Sequence, residues 1–420
     1  MSEKTRRRRT VARHGQLRSP GALSQLLKIV GVVLAVVLVS GVGVVAFVGS
    51  TLIGDVTADA VELEGHESVP PDIGAFEGGF NLLLTGVDTC EPEYAHLFRE
   101  RCTGADSEGT LNDVNMLVHV SDEPRRITAV SFPRDLMVPI PSCTAPDGTE
   151  YYGTDKGQLN TAYSAGGLNC VAKTISELTG QDIQFAAAVT FGGVIEITDA
   201  IGGVEVCLAS SIRDRHTGLD LDAGTHTISG ERALAFLRTR HGLVGESDLA
   251  RIGNQQVYLN ALVRKLRAEE TLGDVPTVLR LANTGLSNIE ASTSLTNPML
   301  IAQIALAVKD VPFEDIAFLQ YPVSTDPNDA DRVVPIRSAA TALFDAIAAN
   351  QPFQITHEAS RYDGVVVEEG EAPETTAPEP APSAGPETTA PAPSQSAVAL
   401  PESVKGTTVE QKTCSNGNGR

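Results

Sequence analysis

Residues 80–87 read FNLLLTGV, an apolar run that ends in turn chemistry, as a buried strand does. Segments 115–120 and 126–132 repeat that reading, each short, apolar and rich in β-branched residues. From 161 to 179 the apolar spacing becomes helical, 184–190 returns to a strand, and 191–201 predicts a short helix closed by Gly202-Gly203. Residues 204–208 form another predicted strand. A helix over 233–237 follows, which Ser229 is placed to cap, and Asp248 is placed to cap a long helix reaching about Ala268. Pro276 and Pro298 suit first helical positions for helices over 276–283 and 298–309. A strand at 316–321 and a helix at 338–348 complete the pattern. Strands alternating with helices predict an α/β layered domain, and no linker divides it, so one domain is expected over 78–355.

The N-terminal part follows another pattern. Residues 29–54 run 26 positions without a charge, and about 20 apolar residues suffice for a helix to cross a bilayer. Residues 1–28 hold eight Lys or Arg against one Glu, and Asp55, Asp59, Glu62 and Glu64 follow the run. The positive-inside bias then predicts a basic cytoplasmic segment 1–28, one transmembrane helix 29–54, a spacer 55–77, and everything after it extracytoplasmic at the cell membrane. A cleaved signal peptide competes through Ala58-Asp59-Ala60, but the apolar stretch is about twice the usual length of such a region. The formal charge of −21 sits wholly after the basic head, so nucleic acid is not an expected partner.

All six cysteines lie on the expected outer side, where disulfides persist. Cys90 and Cys102 bracket a short polar loop and are the expected local bridge, while Cys143, Cys170, Cys207 and Cys414 leave three pairings open. Zinc is disfavoured, because no C-x-x-C pair occurs and the eight histidines lack ligand spacing. From 366 to 396 the composition shifts to Pro, Ala, Thr and Glu with ETTAP twice, predicting a disordered tail over 356–420.

The familiar catalytic templates are missing: no G-x-S-x-G, no GxxxxGK[ST], no H-E-x-x-H and no GxGxxG opening a helix after a strand. What remains is a set of Arg and Asp residues at strand ends and turns. Asp88 ends the first strand, Asp113 begins the second, and Arg134-Asp135 follow the third through Pro133. Arg238 and Arg240 share a face only on extended backbone, which ends the preceding helix near Leu237. Asp248, Arg251 and Gln255, spaced i, i+3, i+7, share a stripe at a helix N-terminus, where anions are favoured. Arginine forks match phosphate oxygens, and carboxylates with phosphates are the usual ligands of Mg2+ or Mn2+, so the set suits a metal-bridged pyrophosphate. The plainer reading of each residue is structural: Arg134 pairing with Asp135, Asp248 capping, Asn160 satisfying a turn, His119 packed mid-strand.

NLLLTGVD (81–88), NDVNMLVHV (112–120), VSFPRDL (130–136), QLNTAYSAGG (158–167), ALAFLRTRH (233–241) and DLARIGNQQ (248–256) resemble, in order, the motifs of the LytR-CpsA-Psr family. The resemblance implies a three-layer α-β-α fold with a mixed central sheet and an apolar pocket for a polyprenyl tail. It implies an enzyme, a phosphotransferase that moves a glycopolymer from a polyprenyl-pyrophosphate carrier to peptidoglycan and releases polyprenyl phosphate. Asp88 and Asp113 resemble the metal-associated acidic residues, with Mg2+ or Mn2+ as cofactor. Arg134, Arg238, Arg240 and Arg251 resemble the arginines around the phosphates, and Gln255 and Asn160 complete the substrate-binding set. The family often has Arg and Thr where this chain has Leu111 and Asn112, Ser or Thr for Val114, and Arg for Asn254. Two other readings stay open: a polyprenyl-pyrophosphate lipid hydrolase, and a noncatalytic wall-binding or regulatory anchor.

Overall fold

In a computed structural model the FNLLLTGV run forms strand β1 (Phe80–Val87), followed by β2 (Asn112–Val120) and β3 (Ile127–Phe132). The structure describes Val61, residues 77–98, Cys102, and residues 109–268, 275–358, 364–368 and 397–419. The expected transmembrane helix 29–54 lies outside these residues, and among them no helix is long and apolar enough to cross a membrane. The other strands of the two main sheets are β4 (Phe185–Val189), β5 (Val204–Ser210), β6 (Gly224–Ile228), β7 (Ile289–Ala291), β8 (Ile316–Gln320), β9 (His357–Glu358), β10 (Val365–Val367), β11 (Lys405–Thr408) and β12 (Thr413–Asn416). The larger sheet runs β7-β4-β1-β2-β3-β8-β11-β9 and is mixed. β1 pairs antiparallel with β2 but parallel with β4, and β3 is antiparallel to β2 but parallel to β8.

The two-residue period of these strands sends side chains to opposite faces. Leu83, Leu117, Val130 and Leu319 enter one apolar cluster, under helices α1 (Ala162–Thr179) and, later in the chain, 337–348. Leu84, Met116, Ala129 and Phe318 face the other way, toward a layer that includes Leu259, Val263 and Val308. The α-β-α layering and mixed sheet therefore agree with expectation. Two further helices, α2 (Phe191–Ala200) and α3 (Gly230–Arg238), carry site residues, as does α4 (Asp248–Ala268). A smaller sheet, β6-β5-β12-β10, packs its own core of Val204, Val206, Leu208 and Ile228 with Phe236 and Tyr258.

Three details correct the sequence reading. Ser229 occupies the N-cap position of α3 but its side chain makes no cap hydrogen bond; Gly230 N–H donates instead to Thr198 Oγ1. Asp248 is the first helical residue of α4 rather than its cap, and Ser247 Oγ accepts the Ala250 N–H at 3.2 Å. The largest departure is the expected disordered tail. Residues 405–408 extend the large sheet and 413–416 sit inside the small one, so the folded domain runs well past residue 355. The compositional shift at 366–396 is local, and Leu400, Val404, Val409 and Cys414 beyond it are buried.

All six cysteines are paired: Cys90–Cys102 as expected, Cys143–Cys170, and Cys207–Cys414. The last bridge ties β12 to β5 across 207 residues of chain.

Candidate functional site

A cavity of about 370 Å³ opens where the C-terminal end of β1 and the start of β2 meet α2, α3 and α4. Its walls are largely apolar, with Leu84, Val114, Met116, Val189, Phe191 and Leu259 among them. Asp113, Arg134, Arg238, Arg240, Arg251 and Gln255 also line it, so six of the eight expected residues converge. Each arrives for a local reason. The turn after β3 presents Arg134, and Asn160 N–H donates to its carbonyl at 3.2 Å. Helix α3 ends at Arg238 and Thr239 is extended (ψ 133°), which brings Arg238 and Arg240 to the same cavity as the two-residue spacing requires.

The arginines fall into two electrostatic classes. Arg134 Nη1 contacts both oxygens of Asp113 at 3.1 Å, and its Nε lies 3.7 Å from Asp135 and 3.8 Å from Asp248. Burial works against its charge, but Asp113, Asp248 and Asp135 outweigh burial and raise its pKa. Arg251 Nη2 pairs with Asp248 Oδ1 at 2.6 Å and donates to the Asp113 carbonyl at 2.8 Å. These two are neutralised by protein carboxylates. Arg238 and Arg240 are not: among the described residues neither forms an ion pair with a carboxylate. The Arg238 guanidinium lies 4.8 and 4.6 Å from the ring centroids of Phe98 and Phe191, which pack on each other at 4.7 Å. Burial is the main cause that holds it below the usual arginine range, and Arg251 adds to it against the pull of Asp113, Asp88 and Asp214. Arg240 Nη2 donates to His241 Nε2 at 3.1 Å.

The loop that carries Arg240 is fixed by Asp214. Its Oδ2 accepts the N–H groups of Arg240 and His241, each at 3.1 Å, and its Oδ1 that of His216 at 2.9 Å. Burial opposes ionisation of this carboxyl, but the backbone donors of Arg240, His216 and His241 hold it below the usual range. Asp214, His216, His241 and Tyr258 all line the cavity and were missed in the sequence. Only His241 carried a signal, as the end of ALAFLRTRH; Asp214 and His216 sit on a hairpin turn whose approach is a tertiary fact.

Asp88 and Asn160 are not in the cavity wall, unlike the other six expected residues. Asn160 is buried behind the Arg134 turn. Asp88 is 6% exposed, and its Oδ1 accepts the Leu111 N–H at 2.6 Å. Two departures from the family pattern have structural roles: Asn112 ties β2 to α1 by accepting the Tyr163 N–H at 3.0 Å, and Val114 is an apolar wall of the cavity. The carboxylates that could hold a divalent ion are Asp113 on the wall and the buried Asp88, a donor set compatible with Mg2+, an ion that binds through one or two carboxylates and takes its other ligands from phosphates and water. Among the described residues, the cluster Cys207, Glu368, Cys414 has ligand-like proximity, but both sulfurs are bridged to each other.

Comparison with known proteins follows the same line. A model of the LytR_cpsA_psr family matches residues 54–345. The cell wall biosynthesis protein LcpA of Corynebacterium glutamicum is 27% identical over 315 residues, 70% of this chain and 59% of that protein. The probable cell wall biosynthesis protein LcpB of the same organism is 33% identical over 234 residues, 55% of this chain, and the match spans 52% of its length. This chain thus covers less than two thirds of either relative. Bacillus subtilis TagT, a polyisoprenyl-teichoic acid–peptidoglycan teichoic acid transferase, is 26% identical over 69% of this chain and 84% of its own. The crystal structure of B. subtilis TagV superposes with a TM-score of 0.50 at 20% identity, over 66% of this chain and 98% of that one, a likeness of fold.

Proposed function

On the premise that the chain belongs to the LytR-CpsA-Psr family, we propose that it transfers a glycopolymer from a polyprenyl-pyrophosphate carrier to peptidoglycan. The observation that carries this reading is the pair Arg238 and Arg240, two arginines of a largely apolar cavity that, among the described residues, have no carboxylate partner. A polyprenyl tail suits the apolar walls, and a pyrophosphate suits the two unneutralised guanidinium groups. An acceptor hydroxyl oxygen forms the new bond to the glycan-proximal phosphorus as the bond from that phosphorus to the bridging oxygen breaks; polyprenyl phosphate leaves with the bridging oxygen, and the hydroxyl proton passes to it or to water. Arg238 and Arg240 offset charge that grows on that leaving group, and Arg134 and Arg251 hold the carboxylate frame around it. Gln255 Nε2 donates to the Leu237 carbonyl at 3.0 Å and so steadies the end of α3 beside Arg238.

Mg2+ or Mn2+ is the proposed cofactor, with Asp113 and Asp88 as its protein donors; when bound, the ion neutralises phosphate charge. The proposed location is the cell membrane, N-terminus cytoplasmic, with the folded domain outside, a placement that three disulfides favour.

The test is to incubate the full-length protein in detergent with polyprenyl-pyrophosphate glycan, Mg2+ and peptidoglycan, then identify products by mass spectrometry. Glycan joined to peptidoglycan through a phosphodiester is expected. Free glycan phosphate without linkage would point to a lipid hydrolase, and lipid binding without turnover to a noncatalytic anchor.

A further inference from the structure

The segment after β11 does more than close the small sheet. Ser415, fully buried, donates through Oγ to Asn254 Oδ1 at 2.6 Å, and Asn254 Nδ2 donates to the Phe236 carbonyl at 2.6 Å, two residues before Arg238. Beyond β12 the chain crosses the Arg240 loop. Val244 N–H donates to the Asn416 carbonyl at 3.0 Å, and Asn418 N–H to the Gly242 carbonyl at 2.9 Å. Asn418 Nδ2 donates to the His241 carbonyl at 2.8 Å and reaches Glu246 Oε1 at 3.4 Å. Gly417 is pressed so close that a Cβ there would stand 2.0 Å from the Ser211 carbonyl oxygen. The loop is therefore held from both sides: Asp214 takes the N–H groups of Arg240 and His241, and the C-terminal segment takes the carbonyls of His241 and Gly242. Cys207–Cys414 anchors that segment covalently, and all of it lies beyond the 54–345 span that the family model matches.

We infer that residues 414–418 form a C-terminal strap that positions Arg240, with Asn418 as the positioning residue that acts through the His241 and Gly242 carbonyls. The inference rests on the proposed role of Arg240 at the pyrophosphate. Removing the strap leaves the arginine present but its backbone released on one side, and a misplacement of about 1 Å can cost on the order of 100-fold in rate.

The experiment is a double-mutant cycle in the full-length protein: Asn418→Ala, Arg240→Ala and both together, with turnover and affinity for a polyprenyl pyrophosphate measured for each. Asn418→Ala is expected to lower turnover about 10- to 100-fold with a smaller change in affinity, and to cost nothing further in the Arg240→Ala background. Hydrogen exchange at the Val244 amide should quicken in Asn418→Ala. The isosteric Asn418→Asp, which loses the donor and sets a carboxylate before the His241 carbonyl, is the second variant if alanine does not fold, and the same loss is expected. Wild-type turnover in a folded Asn418 variant, or an equal loss in both backgrounds, overturns the inference. Wild-type turnover by Arg240→Ala sinks the site reading with it, whereas a damaged Arg240→Ala beside an intact Asn418→Ala sinks the strap alone.

Discussion

Arg134 Nη1 stands 3.1 Å from each carboxylate oxygen of Asp113, and that one pairing divides the labour among the four cavity arginines. With Arg134 and Arg251 ion-paired to Asp113 and Asp248, an incoming anion finds uncompensated charge at Arg238 and Arg240. Asp113 is drawn two ways, since the carboxylate that steadies Arg134 is also a proposed metal donor on the wall.

Asp113→Asn should therefore weaken metal-dependent binding. In a titration of polyprenyl-pyrophosphate binding against Mg2+, the midpoint is expected to rise about tenfold, equivalent to roughly 1.4 kcal/mol. An unmoved midpoint would leave Asp113 as a partner of Arg134 and nothing more.

Arg240→Ala should lower turnover by about 100- to 1000-fold, more than it lowers lipid affinity, because charge that the bound lipid lacks develops on the leaving phosphate as the transition state forms. Arg240→Lys should restore only part of this, since an ammonium cannot offer the planar fork. Turnover at the wild-type rate under saturating lipid, in protein that is folded by circular dichroism, would remove Arg240 from the reacting centre.

Much of this site was legible in the sequence because the family motifs fall at strand ends and at one helix start, where short-range spacing sets direction. The i, i+3 step from Asp248 to Arg251 became a 2.6 Å ion pair, and the two-residue step from Arg238 to Arg240 placed both at the cavity. Asp214 and His216 were not legible, since their hairpin turn reaches the site only through the tertiary packing of residues 212–221. Nor was the end of the chain: composition over 366–396 argued for disorder, but burial of Val404, Val409 and Cys414 is decided by partners hundreds of residues earlier.

Stability should depend on pH through His119, which lies mid-strand with Nδ1 2.8 Å from Asn81 Oδ1; burial pushes its pKa down to about 4. An unfolded histidine titrates near about 6.5, so between these values the unfolded chain binds a proton that the folded chain excludes. The contribution is complete above about pH 6.5 and is lost as pH falls toward 4, by up to about 3 kcal/mol. Urea midpoints of the wild type and His119→Gln between pH 7 and 4 should converge as pH falls; parallel curves would assign the acid sensitivity elsewhere.

Cys207 and Cys414 lie 207 residues apart, so their bridge restricts the unfolded chain over a long loop. The double variant Cys207→Ala, Cys414→Ala should lose about 2–5 kcal/mol in denaturant unfolding. Should the unfolding midpoint stay where it was, the C-terminal strands would be held by their hydrogen bonds and apolar contacts alone.

The contact of Arg238 with the paired rings of Phe98 and Phe191 gives the Cys90–Cys102 segment a purpose. Glu91 docks that segment on the start of α2, accepting the Gly192 N–H at 2.7 Å and the Thr190 hydroxyl at 2.9 Å, and the segment delivers Phe98 to the guanidinium. A desolvated arginine beside an aromatic ring gains about 0.5–2 kcal/mol, and Phe98 and Phe191 together offer Arg238 two such contacts. Phe98→Leu keeps most of the apolar volume and removes the ring quadrupole, so it isolates the electrostatic part. We expect Phe98→Leu to reduce affinity for a polyprenyl pyrophosphate by up to about 30-fold, Phe98→Tyr to retain it, and neither to change affinity for a polyprenol without phosphate. Equal losses for the charged and uncharged lipids would make Phe98 part of the tail-binding wall instead, and the orientation of Arg238 would then rest on Phe191 alone.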